Sequence, residues 1–303
     1  ISILRDYIKP KRALRQSRTT VRYETEPGRQ LQHDWGELTV EIAGEQRKVY
    51  ISVNTLGYSR RCFVWAAFSN DAAHTYESLV QSFNWFGGVP AEVLVDNQKA
   101  AVLKHPGNGR VTFNDGFLML AHHYQFKPRA CKPYRPQTKG KTERMVHYVK
   151  DNFFPRHAGF ESLAHLNGLL VQWMREVADE RIHGTVKERV LNRFAREQSC
   201  LKPLPAMGFD TSYREQRRVP SDAYINVRTN RYSVPDRLTG QAVNIRIGLD
   251  NTLRVYDDQD QLVASHVLND GSHQWILEPT HHRAMYEAVK VETRDLSCYA
   301  EVA

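Results

Sequence analysis

The sequence predicts an α/β domain with a mixed five-stranded sheet and flanking helices, followed by a small all-β barrel. Two changes of texture carry that prediction. Residues 29–68 show short alternating apolar runs with tight turns, and from there to about residue 200 strands alternate with helix-period segments. After residue 220 only short alternating runs remain, separated by Gly- or Asp-rich turns. The 303 residues suit two domains, and 41% hydrophobic with 25% charged residues excludes wholesale disorder and fibrous classes.

The elements follow in order. Residues 1–28 read as a basic arm in which Pro10 and Pro27 interrupt any long helix. Gln30 to Val40, Lys48 to Asn54 and Cys62 to Phe68 read as an antiparallel meander with turns at Ala43-Gly44-Glu45 and Gly57-Tyr58-Ser59. Asp71 is placed to cap a helix over 71–86 that stops at Gly87-Gly88. Glu92 to Val95 is a fourth strand ending at Asp96, Asn114 to Tyr124 a helix, and Phe126 to Cys131 a fifth strand. A basic loop, Lys132 to Lys141, leads into a helix from Thr142 to Phe154, with further helices over 161–180 and 186–197. The expected organisation is therefore an arm (1–28), an α/β domain (29–200), a linker (201–220), a β-barrel (221–275) and a tail (276–303).

No apolar stretch approaches the roughly 18 residues of a membrane span, and the charged N-terminal segment has no signal-peptide core, so the chain reads as soluble and intracellular. The four cysteines form no CxxC pair and read as reduced thiols. An opening at Ile1 instead of methionine reads as a fragment of a longer product. The net charge of +8 is concentrated: residues 1–22 carry +6 and residues 127–150 carry +7, so the remainder is slightly acidic. Two local basic blocks on an otherwise acidic chain fit contact with a polyanion, here nucleic acid. The candidate contacts are Lys9, Lys11, Arg12 and Arg15 in the first block and Lys132, Arg135, Lys139, Lys141, Arg144 and Lys150 in the second.

Three acids stand out by position. Asp34 lies in the middle of the first strand, Asp96 at the end of the fourth, and Glu143 in the first turn of the helix after the basic loop. If the fourth strand pairs beside the first, the two aspartates project into one crevice at the strand ends. Three oxygen donors without a Cys or His framework suit Mg2+ or Mn2+, and two such ions can serve an in-line phosphoryl displacement. Taken singly, each acid also has an ordinary structural role, as a strand-edge charge, a turn residue or a helix N-terminal carboxylate.

The segments His33-Asp34-Trp35-Gly36, Leu94-Val95-Asp96-Asn97 and Tyr134 to Arg144, with its Pro-Gln-x-x-Gly-x-x-Glu run, resemble the acidic motifs of retroviral-integrase-like DDE transposases. More closely, these segments, His183-Gly184-Thr185 leading to Phe194, and Asn230 to Pro235 resemble the IstA-type insertion-sequence transposases. The resemblance covers roughly residues 25–275 and lacks the family's N-terminal helix-turn-helix region. It implies an RNase H-like catalytic domain in which Asp34, Asp96 and Glu143 bind two Mg2+ or Mn2+ ions and catalyse 3'-end cleavage and strand transfer. It further implies element-end and target DNA as substrates, a homo-oligomer on DNA, an IstB-like AAA+ ATPase helper, and a cytoplasmic, DNA-associated setting in a bacterium without membrane contact. Lys150, seven positions after Glu143, matches a basic DNA-contact position of the superfamily, while Asn97 and His147 are candidates to support the acids. A nuclease of the same fold, or a non-catalytic DNA-binding or assembly protein, are the alternatives at this point.

Overall fold

The computed structural model describes residues 24–104, 111–131 and 140–283. Strand β1 (Gln30–Ile42) pairs antiparallel with β2 (Glu45–Leu56), from Leu31 opposite Leu56 to Ile42 opposite Glu45. The turn between them places Ala43 and Gly44 at φ 52° and 80°. Two consecutive left-handed residues match the twist of the flanking strands, as in a tight hairpin. Strand β3 (Cys62–Ala67) continues the meander against β2. Its outer edge is closed by Asn167, whose amide accepts from Ala66 N at 2.7 Å and donates to Ala66 O at 2.9 Å.

Helix α1 (Ala72–Phe86) begins where Asp71 Oδ1 accepts from His74 N at 3.1 Å and ends at Gly87, whose φ of 68° a side chain would strain. Strand β4 (Glu92–Val95) then joins β1 in parallel. A small hairpin, β5 (Val102–Lys104) and β6 (Thr112–Phe113), precedes α2 (Asp115–His123), which Asn114 caps. Strand β7 (Lys127–Ala130) adds in parallel to β4, completing the order β3-β2-β1-β4-β7. Three antiparallel strands followed by two parallel ones, with helical crossovers, make this the RNase H-like mixed sheet.

Helix α3 (Gly140–Asn152) packs on one face of the sheet, and α4 (Leu163–Trp173) follows under a Ser162 cap. Where apolar spacing predicts one helix over 161–180, α4 instead widens into a π-helical turn, Met174–Ala178, whose first residue offers its sulfur to Val64 N at 3.0 Å. Helix α5 (Val190–Gln198) completes the unit. Its core joins Leu31 and Val53 of the sheet, Leu79 and Phe83 of α1, Phe117 and Leu120 of α2, Val149 of α3, and Leu166 and Leu170 of α4.

The chain divides into two compact units between Phe209 and Asp210. In the second unit β8 (Tyr213–Arg218), β11 (Ala242–Ile247), β12 (Thr252–Tyr256) and β13 (Leu262–Val267) form a four-stranded antiparallel sheet in the order β13-β12-β11-β8. Strands β9 (Tyr224–Val227), β10 (Asn230–Ser233) and β14 (Trp275–Ile276) form a three-stranded sheet. Both contribute to one core that includes Ile225, Tyr232, Val243, Ile245, Leu253 and Val255. Among the described residues no ladder joins the two sheets, so the all-β module is seen as two sheets over a shared core.

Three expected boundaries shift. The stretch 201–220, read as linker, contains β8, which pairs with β11 over its full length. Residues 276–282, read as tail, include the end of β14 and a turn that buries His282. Residues 24–28, read as arm, belong to the α/β unit: Glu24 binds Arg60 through both oxygens, at 2.9 and 2.7 Å, and Thr25 is buried. Cys62 and Cys200 are free thiols, and burial pushes the Cys62 thiol up to about 12, which leaves it protonated and inert. Among the described residues no helix is long and apolar enough to cross a membrane.

Candidate active site

The parallel pairing of β1 and β4 runs up to the two aspartates. Gln30 lies opposite Glu92 and Gln32 opposite Leu94, where the ladder ends; Asp34 lies two residues further along β1, and Asp96 directly follows the last residue of β4. Side chains alternate along a strand, which puts Gln32, Asp34 and Gly36 on one face. That face is the one α3 covers. Thr142 Oγ1 lies 3.3 Å from Gln32 O, Val146 packs at Gly36, and Lys150 Nζ donates to Glu37 O at 2.7 Å. Helix α3 therefore runs alongside β1 from Gln32 to Glu37, and Glu143, one residue after Thr142, heads it with an exposed side chain.

Gly36 permits that approach. A Cβ there would sit 2.7 Å from Val146 Cγ1 and 3.0 Å from Ile51 Cγ1, closer than carbon atoms pack. Each aspartate is also held by the residue after it. Asp34 Oδ1 accepts from Trp35 N at 2.8 Å and Asp96 Oδ1 from Asn97 N at 2.8 Å. Asn97 in turn donates from its amide to Cys131 O at 3.2 Å, tying the end of β4 to the end of β7. The loop beyond Asp96 is fastened at its far end, where Tyr76 Oη donates to Ala100 O at 2.9 Å. Burial raises the Tyr76 phenol to about 12, so it stays a donor throughout the physiological range.

Among the described residues no three His, Cys, Asp or Glu side chains stand close enough together to hold one metal ion. Asp34 and Asp96 lie just past the end of the β1–β4 ladder, and Glu143 lies on the helix that borders the Gln32–Gly36 face of β1. The donor set itself, carboxylate oxygens on a partly open sheet face, fits a hard divalent cation and has no soft ligand. His147 is exposed on α3, and Lys150 has one of its three N–H groups on the Glu37 carbonyl. Arg144 is exposed in the first turns of α3. Lys9, Lys11, Arg12, Arg15, Lys132, Arg135 and Lys139, and the side chain of Lys141, lie outside the described residues.

Two polar systems next to the acids escape sequence reasoning. Thr142, Gln32, Gln30, Glu92 and Arg129 form a chain across the α3 face: Gln32 Nε2 donates to Gln30 Oε1 at 3.0 Å, Gln30 Nε2 to Glu92 Oε1 at 2.9 Å, and Arg129 Nε to Glu92 Oε2 at 3.0 Å. On the opposite face His33, Ser52, Asn54, Thr75 and Ser78 are fully buried polar residues between the sheet and α1. Glutamines and serines within strands carry no periodic signal, and only the β1–β2 pairing of His33 with Asn54 shows why both are polar.

Residues 24–136 match the family model described as the integrase core domain, and residues 204–278 match that of the Mu transposase C-terminal domain. The transposase of insertion sequence element IS21 from Pseudomonas aeruginosa is 56% identical over 302 residues, covering 99% of this chain and 77% of that protein. A putative transposase of element IS5376 from Geobacillus stearothermophilus is 38% identical over 307 residues, covering 98% of this chain and 75% of the relative. Among solved structures, a chain of the simian T-cell lymphotropic virus intasome aligns with a TM-score of 0.46 at 13% identity, over 86% of this chain and 82% of that one. The identity and span shared with the first two relatives settle the family: the chain is an insertion-sequence transposase of the IS21 type, a DNA-acting polynucleotidyl transferase with an integrase core.

Proposed function

We propose that Asp34, Asp96 and Glu143 form the catalytic carboxylate set of this transposase and that the reaction is cleavage at the 3' ends of the element followed by joining of those ends to target DNA. The observation that supports this is the register from Gln30–Glu92 to Gln32–Leu94, just beyond which the two aspartates follow in their strands, beside the face that Glu143's helix borders. The three carboxylates would hold two Mg2+ or Mn2+ ions, which when bound activate the attacking oxygen and offset charge on the leaving oxygen. The chain's own residues supply the frame. Trp35 N and Asn97 N orient the two aspartates, Gly36 lets α3 close on β1, and Lys150 fastens that helix to Glu37 O. Asn97 acts on Asp96 through its anchor at Cys131 O, and His147 stands one helical turn beyond Glu143 as a further supporting group.

In this reading the phosphate backbone lies against Arg144, Lys150 and the basic segment Lys132, Arg135, Lys139 and Lys141, while Lys9, Lys11, Arg12 and Arg15 contact DNA further away. Two ends must be joined together, so the working form is a homo-oligomer on DNA. An IstB-like AAA+ ATPase serves as helper, and the protein works on DNA in the bacterial cytoplasm.

The test is strand transfer of a labelled pre-cut element-end duplex into a plasmid in Mg2+ or Mn2+. Asp34→Asn, Asp96→Asn and Glu143→Gln should each lower joining by at least about a thousandfold while leaving duplex binding within about threefold, the size expected when an interaction made only in the transition state is removed. Residual joining near the parent rate in any one variant removes that residue from the set. Hydrolysis of intact ends without joined product would identify a nuclease. Binding measured in the same series at rising salt should weaken steeply, and less steeply after joint neutralisation of Lys139, Lys141 and Lys150, because fewer counterions are released.

A further inference from the structure

We propose that Trp35, with His33 beside it, is a positioning residue that holds Asp34 from the rear of the sheet; this rests on Asp34 being a metal-binding carboxylate. Trp35 N donates directly to Asp34 Oδ1 at 2.8 Å, so the orientation of the carboxylate depends on where the Trp35 backbone is held. The indole sets that position. On the face opposite Asp34, Trp35 Nε1 donates to Thr75 Oγ1 of α1 at 3.1 Å.

One residue before Asp34, His33 makes the second attachment. Its Nδ1 lies 2.9 Å from Asn54 Oδ1, and Asn54 Nδ2 donates to Ser78 Oγ at 2.7 Å. Because the Asn54 amide nitrogen serves Ser78, its oxygen accepts and the proton sits on His33 Nδ1. Ser78 also bonds Ser52, the strand partner of Trp35. Thr75 and Ser78 are one helical turn apart, so both residues flanking Asp34 are fastened to one stripe of α1. The His33 and Trp35 rings meet edge to face, with centroids 5.8 Å apart.

All five polar partners, His33, Ser52, Asn54, Thr75 and Ser78, are fully buried. Burying that much polar surface costs stability that aliphatic residues would not, unless the bonds fix something. What they fix is the backbone on either side of one carboxylate. Trp35 does for Asp34 through Thr75 what Asn97 does for Asp96 through Cys131 O, so both acids are aimed by the anchored residue that follows them.

The experiment uses the whole chain with Trp35→Phe, which keeps the ring and deletes the indole N–H, and Thr75→Val, which keeps the shape and deletes the acceptor. Two quantities are read: Mn2+ affinity without DNA, from the electron paramagnetic resonance signal of free Mn2+, and the Mn2+ concentration giving half-maximal strand transfer. Both variants should weaken each quantity about tenfold, as loss of a supporting hydrogen bond behind a metal ligand typically does. The double variant should add little to either single one, and the rate at saturating Mn2+ should return to within about threefold of the parent. Thr75→Ser retains the hydroxyl and should behave as the parent. Unchanged Mn2+ affinity in Trp35→Phe and Thr75→Val, with affinity lost in Asp34→Asn, overturns the positioning role alone. Mn2+ affinity and joining both intact in Asp34→Asn overturn the reading of Asp34, and the positioning role with it. A lowered melting temperature with no change in metal requirement marks a packing role and overturns the proposal.

Discussion

Glu197 has no exposed surface, and both of its oxygens accept backbone N–H groups: Oε1 from Gly28 at 3.0 Å and Oε2 from Ser59 at 2.9 Å. It thereby fastens the chain entering β1 and the β2–β3 turn to α5. Nearby, the His183 imidazole is pushed down to about 4, by burial first and then by the positive charges of Arg181 and Arg60. The folded state therefore binds fewer protons there than the unfolded chain, whose imidazole titrates at 6.5. Stability from this group is complete above 6.5 and is lost as pH falls from 6.5 through about 4. The melting temperature should accordingly drop more steeply between pH 7 and pH 4.5 in the parent than in His183→Gln. Superimposable profiles would assign the acid sensitivity to other groups. Single residues were legible in the sequence when their partners are local: Asp71 and Gly87 bound α1 as capping chemistry predicts, since each acts on backbone within one turn. Glu197 was not, because its partners lie 169 and 138 positions away and nothing in a helical heptad distinguishes a buried glutamate from a solvated one.

At the scale of elements, the β1–α3 contact links the strand that carries Asp34 to the helix that carries Glu143, and Gly36 is a point of close approach in it. Gly36→Ala would place a methyl group 2.7 Å from Val146 Cγ1. The cost in stability is that of overpacking, about 1–3 kcal/mol, because backbone and helix must move apart. The larger effect falls on function, since the element displaced is the one that carries Glu143 and Lys150. Strand transfer should fall at least about tenfold, and adding Val146→Ala should restore part of it by removing the closer of the two contacts, that with Ile51 Cγ1 at 3.0 Å remaining. Failure of the double variant to recover, with stability regained, would mean that the spacing of α3 from β1 does not limit the reaction. The strands and helices of this unit were readable because period 2 and period 3.6 survive in their apolar residues. The π-turn at Met174–Ala178 was not, since the widened turn meets the sulfur contact with Val64 N, a demand made by β3 and not by the helix. The β5–β6 hairpin was missed for another reason: four paired residues are too few to show a period.

For the molecule as a whole, the division between Phe209 and Asp210 separates two hydrophobic cores, and the second belongs to a chain segment that the sequence divides differently. Alternation and turns point to an all-β module from about residue 221, but β8 reads Tyr-Arg-Glu-Gln-Arg-Arg and has no fully buried side chain. It is held mainly by its ladder with β11, which runs from Ala242 opposite Arg218 to Ile247 opposite Tyr213. A hydrophobicity argument cannot find such a strand, because its contribution is made through backbone pairing. Without β8, β11 becomes an exposed edge, and its inner residues Val243 and Ile245 lose the strand that shields them. A fragment of residues 210–283 should therefore fold by itself, with dispersed amide resonances and a cooperative thermal transition. A fragment of residues 221–283, beginning where the apolar alternation begins, should be soluble only poorly and show no cooperative transition. Equal folding of the two fragments would mean that β8 is an accessory strand, and that the module's stability resides in the core shared by its other six strands.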